Sequence, residues 1–264
     1  MSHYSVLMIL GPDVAPDDLA AVNARIDSLL APFDEGKDVP HREIMSPDDL
    51  QTFLEFYREK GLPEQLSHEH LAYVEDWNNG TDAVIVGADA PPASIAYTST
   101  YNPASKWDWW TLGGRWRGLL RVRQGAAVGV DEHWRAFPVL YGEEPSEPGT
   151  ADVARVGDVD WEGMRTAAEA LARIDWAEAE AVSGPDRYWR YGIEGEDTLD
   201  TYVARRTGGM TFAACNGEWM ERGQMGWFGV SRNEMPSEDW DAAWWRMVTS
   251  LPADTTVAVV DCHI

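Results

Sequence analysis

Basic residues are scarce in this chain of 264 residues: 21 lysines and arginines face 45 aspartates and glutamates, a formal net charge of -24. General binding to nucleic acid or to an anionic membrane needs a basic face, so neither is expected; a mimic of nucleic acid stays open. Cysteine is nearly absent. Cys215 and Cys262 are too few for a disulfide scaffold, and the start, "MSHYSVLMILGPDV", has no basic segment followed by a long apolar one. No window approaches the roughly 18 consecutive apolar residues of a membrane span. A cytoplasmic protein with reduced thiols is expected. CxxC, HExxH, GxGxxG, a Walker loop and GxSxG are all missing, which removes the main support for metal, dinucleotide, P-loop and α/β-hydrolase chemistry. No metal site and no particular cofactor is assigned.

What the chain does have is length enough to bury a core without staples. "YSVLMIL" reads as a buried strand closed by Gly11-Pro12, and Leu19, Val22, Ile26, Leu29 and Leu30 then recur at helical spacing. Ser46, Pro47 and Gly61 read as cap, first turn and stop of a second helix, with a third from about 63 to 78. "DAVIVGA" reads as a short strand. Residues 160–182 read as a helix with Met164, Ala168, Leu171 and Ile174 or Asp175 along one face, and 237–250 as another capped by Ser237. "DTYVARRTGGMTFAACNGEWMERG" reads as a meander of strands about Gly208-Gly209 and Asn216-Gly217, residues 141–150 as an acidic loop, and "TTVAVVDCHI" as a closing strand. These elements predict an α+β fold: a mainly antiparallel sheet covered by helices, with ferredoxin-like terminal strands as neighbours. The expected organisation is one domain over 1–264 with a helical insertion at about 45–79.

Residues 100–135 are the one stretch where bases outnumber acids, and they hold "NPASKWDWWTLGGRWRG". Tryptophans offer stacking surfaces, while lysine and arginine hold phosphate or carboxylate. Asn102, Lys106, Trp107, Trp110, Arg115, Trp116 and Arg117 are therefore candidate ligand contacts. Asp108 is a candidate base or orienting group. "RWRGLLRVR" alternates as a strand with Arg115, Arg117, Arg121 and Arg123 on one face. An aromatic core loop, with Lys106 or Arg115 capping ring faces and pairing with Asp108, fits the same letters. In "DCHI", Asp261 and His263 share one side of the strand, as a base pair or two metal ligands, and Cys262 packs inward. Trp219 and Trp227, between glycines, are candidates for the other wall of a cleft or for core. "HEH" at 68–70 reads as solvated helix surface.

The blocks "NPASKWDWWTLGGRW", "DVDWEGM", "GEWMERGQMGWFGV" and "VDCHI" resemble, in the same order, those of a bacterial and bacteriophage protein family to which no activity is attached. They cover roughly the last two thirds of the chain. The resemblance implies phage association and carries over no residue role. The expectation is a protein that binds a small anionic, ring-containing, nucleotide-like ligand in a Trp/Arg/Lys cleft, with Asp108, His263 and Asp261 as catalytic candidates. The alternative is an acidic phage protein acting on a host macromolecule, as inhibitor or DNA mimic; a third is an enzyme on a carboxylate or sugar.

Overall fold

The structure, a computed structural model, describes residues 2–77, 82–87, 93–130, 149–182, 184–193, 195, 197–207, 209–225 and 231–264. In chain order the elements are β1 (His3–Gly11), α1 (Leu19–Leu30), β2 (His41–Ile44), α2 (Pro47–Arg58), α3 (His68–Trp77), β3 (Ala83–Val86), β4 (Ser94–Ser99), β5 (Trp109–Leu112), β6 (Leu120–Arg121), β7 (Val128–Gly129), β8 (Thr150–Ala151) and β9 (Val153–Arg155). They continue with α4 (Trp161–Ala179), α5 (Pro185–Tyr191), α6 (Leu199–Thr207), β10 (Ala213–Cys215), β11 (Trp219–Glu221), β12 (Gln224–Met225), β13 (Ser231–Arg232), α7 (Ser237–Ser250) and β14 (Thr256–His263). The fold is α+β. The chain forms two compact units, one of Met1–Ala31 with Trp107–Ile264, the other of Pro32–Lys106.

The larger unit is built on a sheet in the order β11-β10-β1-β14-β9-β7, with β5 pairing β14 beyond β9. The terminal strands β1 and β14 are antiparallel neighbours, as expected, with His3 opposite His263 and Val6 opposite Val260. Every residue of β14 is buried, because strands flank both of its edges and apolar side chains cover it. Leu7, Val257 and Val259 pack with Trp240, Trp244 and Val248 of α7. Alternation sends Val6, Met8, Val260 and Cys262 to the opposite face. There Cys215, the register partner of Met8, lies with its sulfur 3.8 Å from Leu29 O of α1. Both cysteines are free thiols. Among the described residues no helix is long and apolar enough to cross a membrane.

Four expectations are corrected in this unit. The strand over "RWRGLLRVR" does not form. Gly113 and Gly114 take φ of +67° and +51°, a left-handed backbone that admits glycine and ends extended structure, and a 3-10 turn over Gly114–Trp116 follows. Only Leu120–Arg121 pairs, with β8, so the four arginines share no ladder. Residues 199–207 are helix rather than strand: Tyr202 and Val203 are buried, and Arg205 and Arg206 sit in the last turn, where the helix dipole favours cations. On α4 the buried positions are Met164, Ala172 and Ala179, while Leu171 and Ile174 are more than half exposed. The small alanines let this helix pack with Tyr202, Val203 and Ile193. Ser237 begins α7, but Pro236 is the cap position and supplies no side-chain hydrogen bond. The acidic loop is outside the described residues up to 148.

The smaller unit carries the two helices expected of the insertion and also the strands that flank them. β2-β4-β3 is an antiparallel sheet, and Phe53, Leu71, Val74, Ala83 and Ile95 form its core with α2 and α3. Ser46 caps α2 as read, its hydroxyl accepting from Asp49 N at 3.2 Å. "HEH" is corrected: α3 starts at His68, and His70 is fully buried, its Nδ1 accepting the Ser67 N–H at 3.2 Å. The hydrogen bond to the chain just before the helix draws this imidazole inward.

Candidate functional site

Strand alternation places Asp261 and His263 on one face of β14 and Cys262 on the other, as the sequence predicts. Register then supplies their neighbours. His263 stands opposite His3 on one side and Trp109 on the other, and Asp261 stands opposite Ser5 and Thr111. His3, His263 and Trp109 therefore form one row across the sheet. Asp261 lies in the next.

The carboxylates and imidazoles pair across strands. His263 Nδ1 is 2.6 Å from Asp108 Oδ1, and His3 Nδ1 is 2.9 Å from Asp261 Oδ1. The expected Asp261 and His263 pair is thus replaced by two others: same-face residues two apart on a strand are about 6.6 Å apart, whereas His3 is the diagonal neighbour of Asp261 on the adjacent strand, and Asp108, just before β5, is tied to His263 by its own N–H, which donates to His263 O at 2.9 Å. The two imidazoles meet edge to face, with ring centroids 4.9 Å apart. Trp109 stacks on His263 at 5.0 Å with an interplanar angle of 18°. Asp261 and His263 are buried, while Trp109 is 40 % exposed and also meets the His3 ring edge to face at 5.4 Å.

The glycine turn holds Asp261 in place. Its Oδ2 accepts the backbone N–H of Arg115 at 3.1 Å, so both carboxylate oxygens have partners and Arg115, whose side chain is exposed, begins beside the site. A Cβ on Gly114 would lie 2.4 Å from the Asp261 Cβ. The same turn has a second buried anchor: Asp152 Oδ1 accepts from Gly118 N at 2.6 Å.

In both imidazoles Nδ1 faces a carboxylate, which leaves Nε2 as the nitrogen that can exchange a proton with a bound molecule. Cys262 does not take part as a nucleophile. Burial, then the neighbouring Asp261 charge, push its thiol well up and keep it protonated. Among the described residues no group of three or more His, Cys, Asp or Glu side chains is placed to hold a metal ion.

The other candidates disperse. Trp110 stands opposite Cys262 and so faces away from the histidine row. Trp107 donates its indole N–H to Leu30 O at 3.1 Å, and Trp116 packs against the core around Leu120 and Val159. Arg117 closes the 3-10 turn with its N–H toward Gly114 O at 3.3 Å. Trp219 binds Glu221 Oε2 at 2.8 Å and meets Tyr4 edge-on. Asn102 and Lys106 belong to the smaller unit, where buried Asn102 donates to Pro32 O and Asp34 O, both at 2.9 Å, and Lys106 N to Phe33 O at 2.8 Å. Trp227 lies outside the described residues.

Sequence reasoning passed over His3 and Trp109. His3 continues the alternation of Ser5, Leu7 and Ile9, but its partners lie at the opposite end of the chain and only register brings them together. No protein-family model matches the chain, and neither does a curated protein or a solved structure.

Proposed function

We propose that the larger unit binds a small anionic, ring-containing ligand of nucleotide type at the His3, His263 and Trp109 row, with His3 and His263 as an acid–base pair acting on it. The observation that carries this reading is the pair of crossed Asp–His contacts beside an exposed tryptophan ring. An imidazole oriented through Nδ1 by a carboxylate is a ready general acid or base. Two of them, edge to face, supply one group to accept a proton and one to donate it. Trp109 is a platform for a ring, and the exposed Arg115 side chain is a counter-charge for an anion.

The test is calorimetry with mononucleotides at low and high salt. Saturable binding that salt weakens is expected. Because base–aromatic stacking contributes about 1–3 kcal/mol, Trp109→Leu should weaken binding at least about fivefold. Arg115→Ala should weaken it further at low salt than at high salt, with little change in melting temperature. His263→Gln should retain binding and abolish any turnover or its pH profile. No binding by the unaltered protein, or equal binding by the Trp109 and Arg115 variants, overturns the reading and favours the macromolecular alternative.

A further inference from the structure

The smaller unit contains a cavity of about 800 Å³ between α2, α3 and the β2 and β4 strands, a size that suits a small ligand, for which cavities of about 300–1,000 Å³ are usual. Its chemistry differs from that of the histidine row. Five aromatic rings line it: Phe53, Phe56, Tyr57, Tyr73 and Tyr97. Phe53 and Tyr57 have ring centroids 4.6 Å apart, Phe56 and Tyr57 meet edge-on at 4.9 Å, and Tyr57 and Tyr73 lie at 4.4 Å. Phe56 is 54 % and Tyr73 38 % exposed, so these rings are not consumed by the core.

Three carboxylates, Glu43, Asp49 and Asp76, complete the walls, and no lysine, arginine or histidine is among them. Glu43 is already engaged: it accepts from the Tyr97 hydroxyl at 2.6 Å and lies 2.7 Å from His41 Nε2. His41 Nδ1 faces Val39 O at 2.8 Å, so both ring nitrogens face acceptors, which favours the cationic form of the imidazole. Asp49 accepts the Ser46 hydroxyl at 2.5 Å. Among the described residues no cation pairs with Asp49 or Asp76, and both are exposed.

Ring faces carry negative electrostatic potential and attract cations, most strongly where water is partly excluded. The unit already uses that attraction, with Lys60 Nζ 5.0 Å from the Phe56 ring centroid; Lys60 is not one of the cavity walls. From the π faces, the surplus of carboxylates and the volume together, we infer that this cavity binds a small organic ammonium ion. A metal ion would need converging ligand atoms, and the rings offer none. An anion would meet three carboxylates.

Choline and its uncharged carbon isostere 3,3-dimethylbutan-1-ol separate charge from shape. Calorimetry on the full chain, with proton NMR of the choline N-methyl signal, should show saturable binding and upfield ring-current shifts. A cation–π contact contributes about 0.5–2 kcal/mol, so the isostere should bind at least about fivefold more weakly over several such contacts. Tyr73→Leu, Phe56→Leu and Asp76→Asn should each weaken choline at least about threefold, and added salt should weaken it too. Phe56→Leu and Asp76→Asn alter exposed side chains, so one of them reports even if Tyr73→Leu disturbs the fold. Equal binding of choline and the isostere, no saturation by about 10 mM choline, or variants that bind as the unaltered protein does would overturn the inference.

Discussion

At the scale of single residues, Gly114 shows how tightly the histidine site is tied to backbone conformation. Its φ of +51° and its closeness to the Asp261 Cβ, at 2.4 Å for an added Cβ, combine two penalties in one position. Gly125 has φ of +84° with nothing within 4 Å, and so carries only the first. Gly114→Ala should therefore cost about 2–4 kcal/mol, and Gly125→Ala about 1–2 kcal/mol. Urea midpoints at constant slope check the difference. Equal losses would show that Asp261 yields freely, which its two hydrogen-bonded oxygens argue against.

At the scale of elements, α7 packs on the larger sheet through Trp240, Trp244 and Val248. Trp244 is fully buried, donates its indole N–H to Thr211 Oγ1 at 3.0 Å and meets Trp161 and Trp245 edge-on at 5.8 Å and 4.9 Å. Trp244→Ala should destabilise the unit by about 3–5 kcal/mol by thermal or denaturant unfolding. Trp244→Phe, which keeps most of the packing and leaves Thr211 without its donor, should lose less. In the smaller unit the stability of the β2-β4-β3 sheet is expected to depend on pH at its edge. The Val39 carbonyl, then Glu43, raise the His41 pKa above its ordinary 6.5. That contribution is complete below pH 6.5 and fades as pH rises through the folded value. The Thr98 hydroxyl, then Arg42, lower the Asp82 pKa below its ordinary 3.8. Its contribution is complete above pH 3.8 and fades as pH falls through the folded value. Amide protection factors in β2 and β4, with the intrinsic pH dependence of exchange divided out, should be highest between those limits, and His41→Gln should flatten the alkaline side. An unchanged alkaline slope would remove His41 as its source.

At the scale of the whole molecule, the two thiols report on opening of the larger unit. Both are buried, and burial pushes the Cys215 and Cys262 thiols up. Near neutral pH a thiol reagent should react with native protein only at the rate of structural opening, and should count two thiols at once in denaturant. Prompt reaction of Cys262 in the native state would contradict its place in a strand buried along its whole length. The acidic balance of the whole chain sets the background against which both proposed ligands act. The histidine row offers an anion the exposed Arg115, whereas the aromatic cavity gathers carboxylates.

Sequence pattern alone determined much of this protein. The apolar run of β1, the spacing of α1, the Ser46 and Pro47 start of α2, the Asn216-Gly217 hairpin and the sides of β14 all follow from contacts within a few residues. It also singled out Asp108, Asp261 and His263, whose side chains the fold brings into contact with the histidine row. Tertiary structure decided their partners, because His3 and Asp261 are brought together only by antiparallel register between the two ends of the chain. It likewise decided that Trp109 rather than Trp110 meets His263, since β5 could pair in either phase with the same letters. The aromatic cavity had no signature in any one stretch: its rings come from α2, α3 and β4, and their charge partners from segments up to 54 residues apart. Local periodicity determines which way a side chain points within its element; only packing determines what it meets.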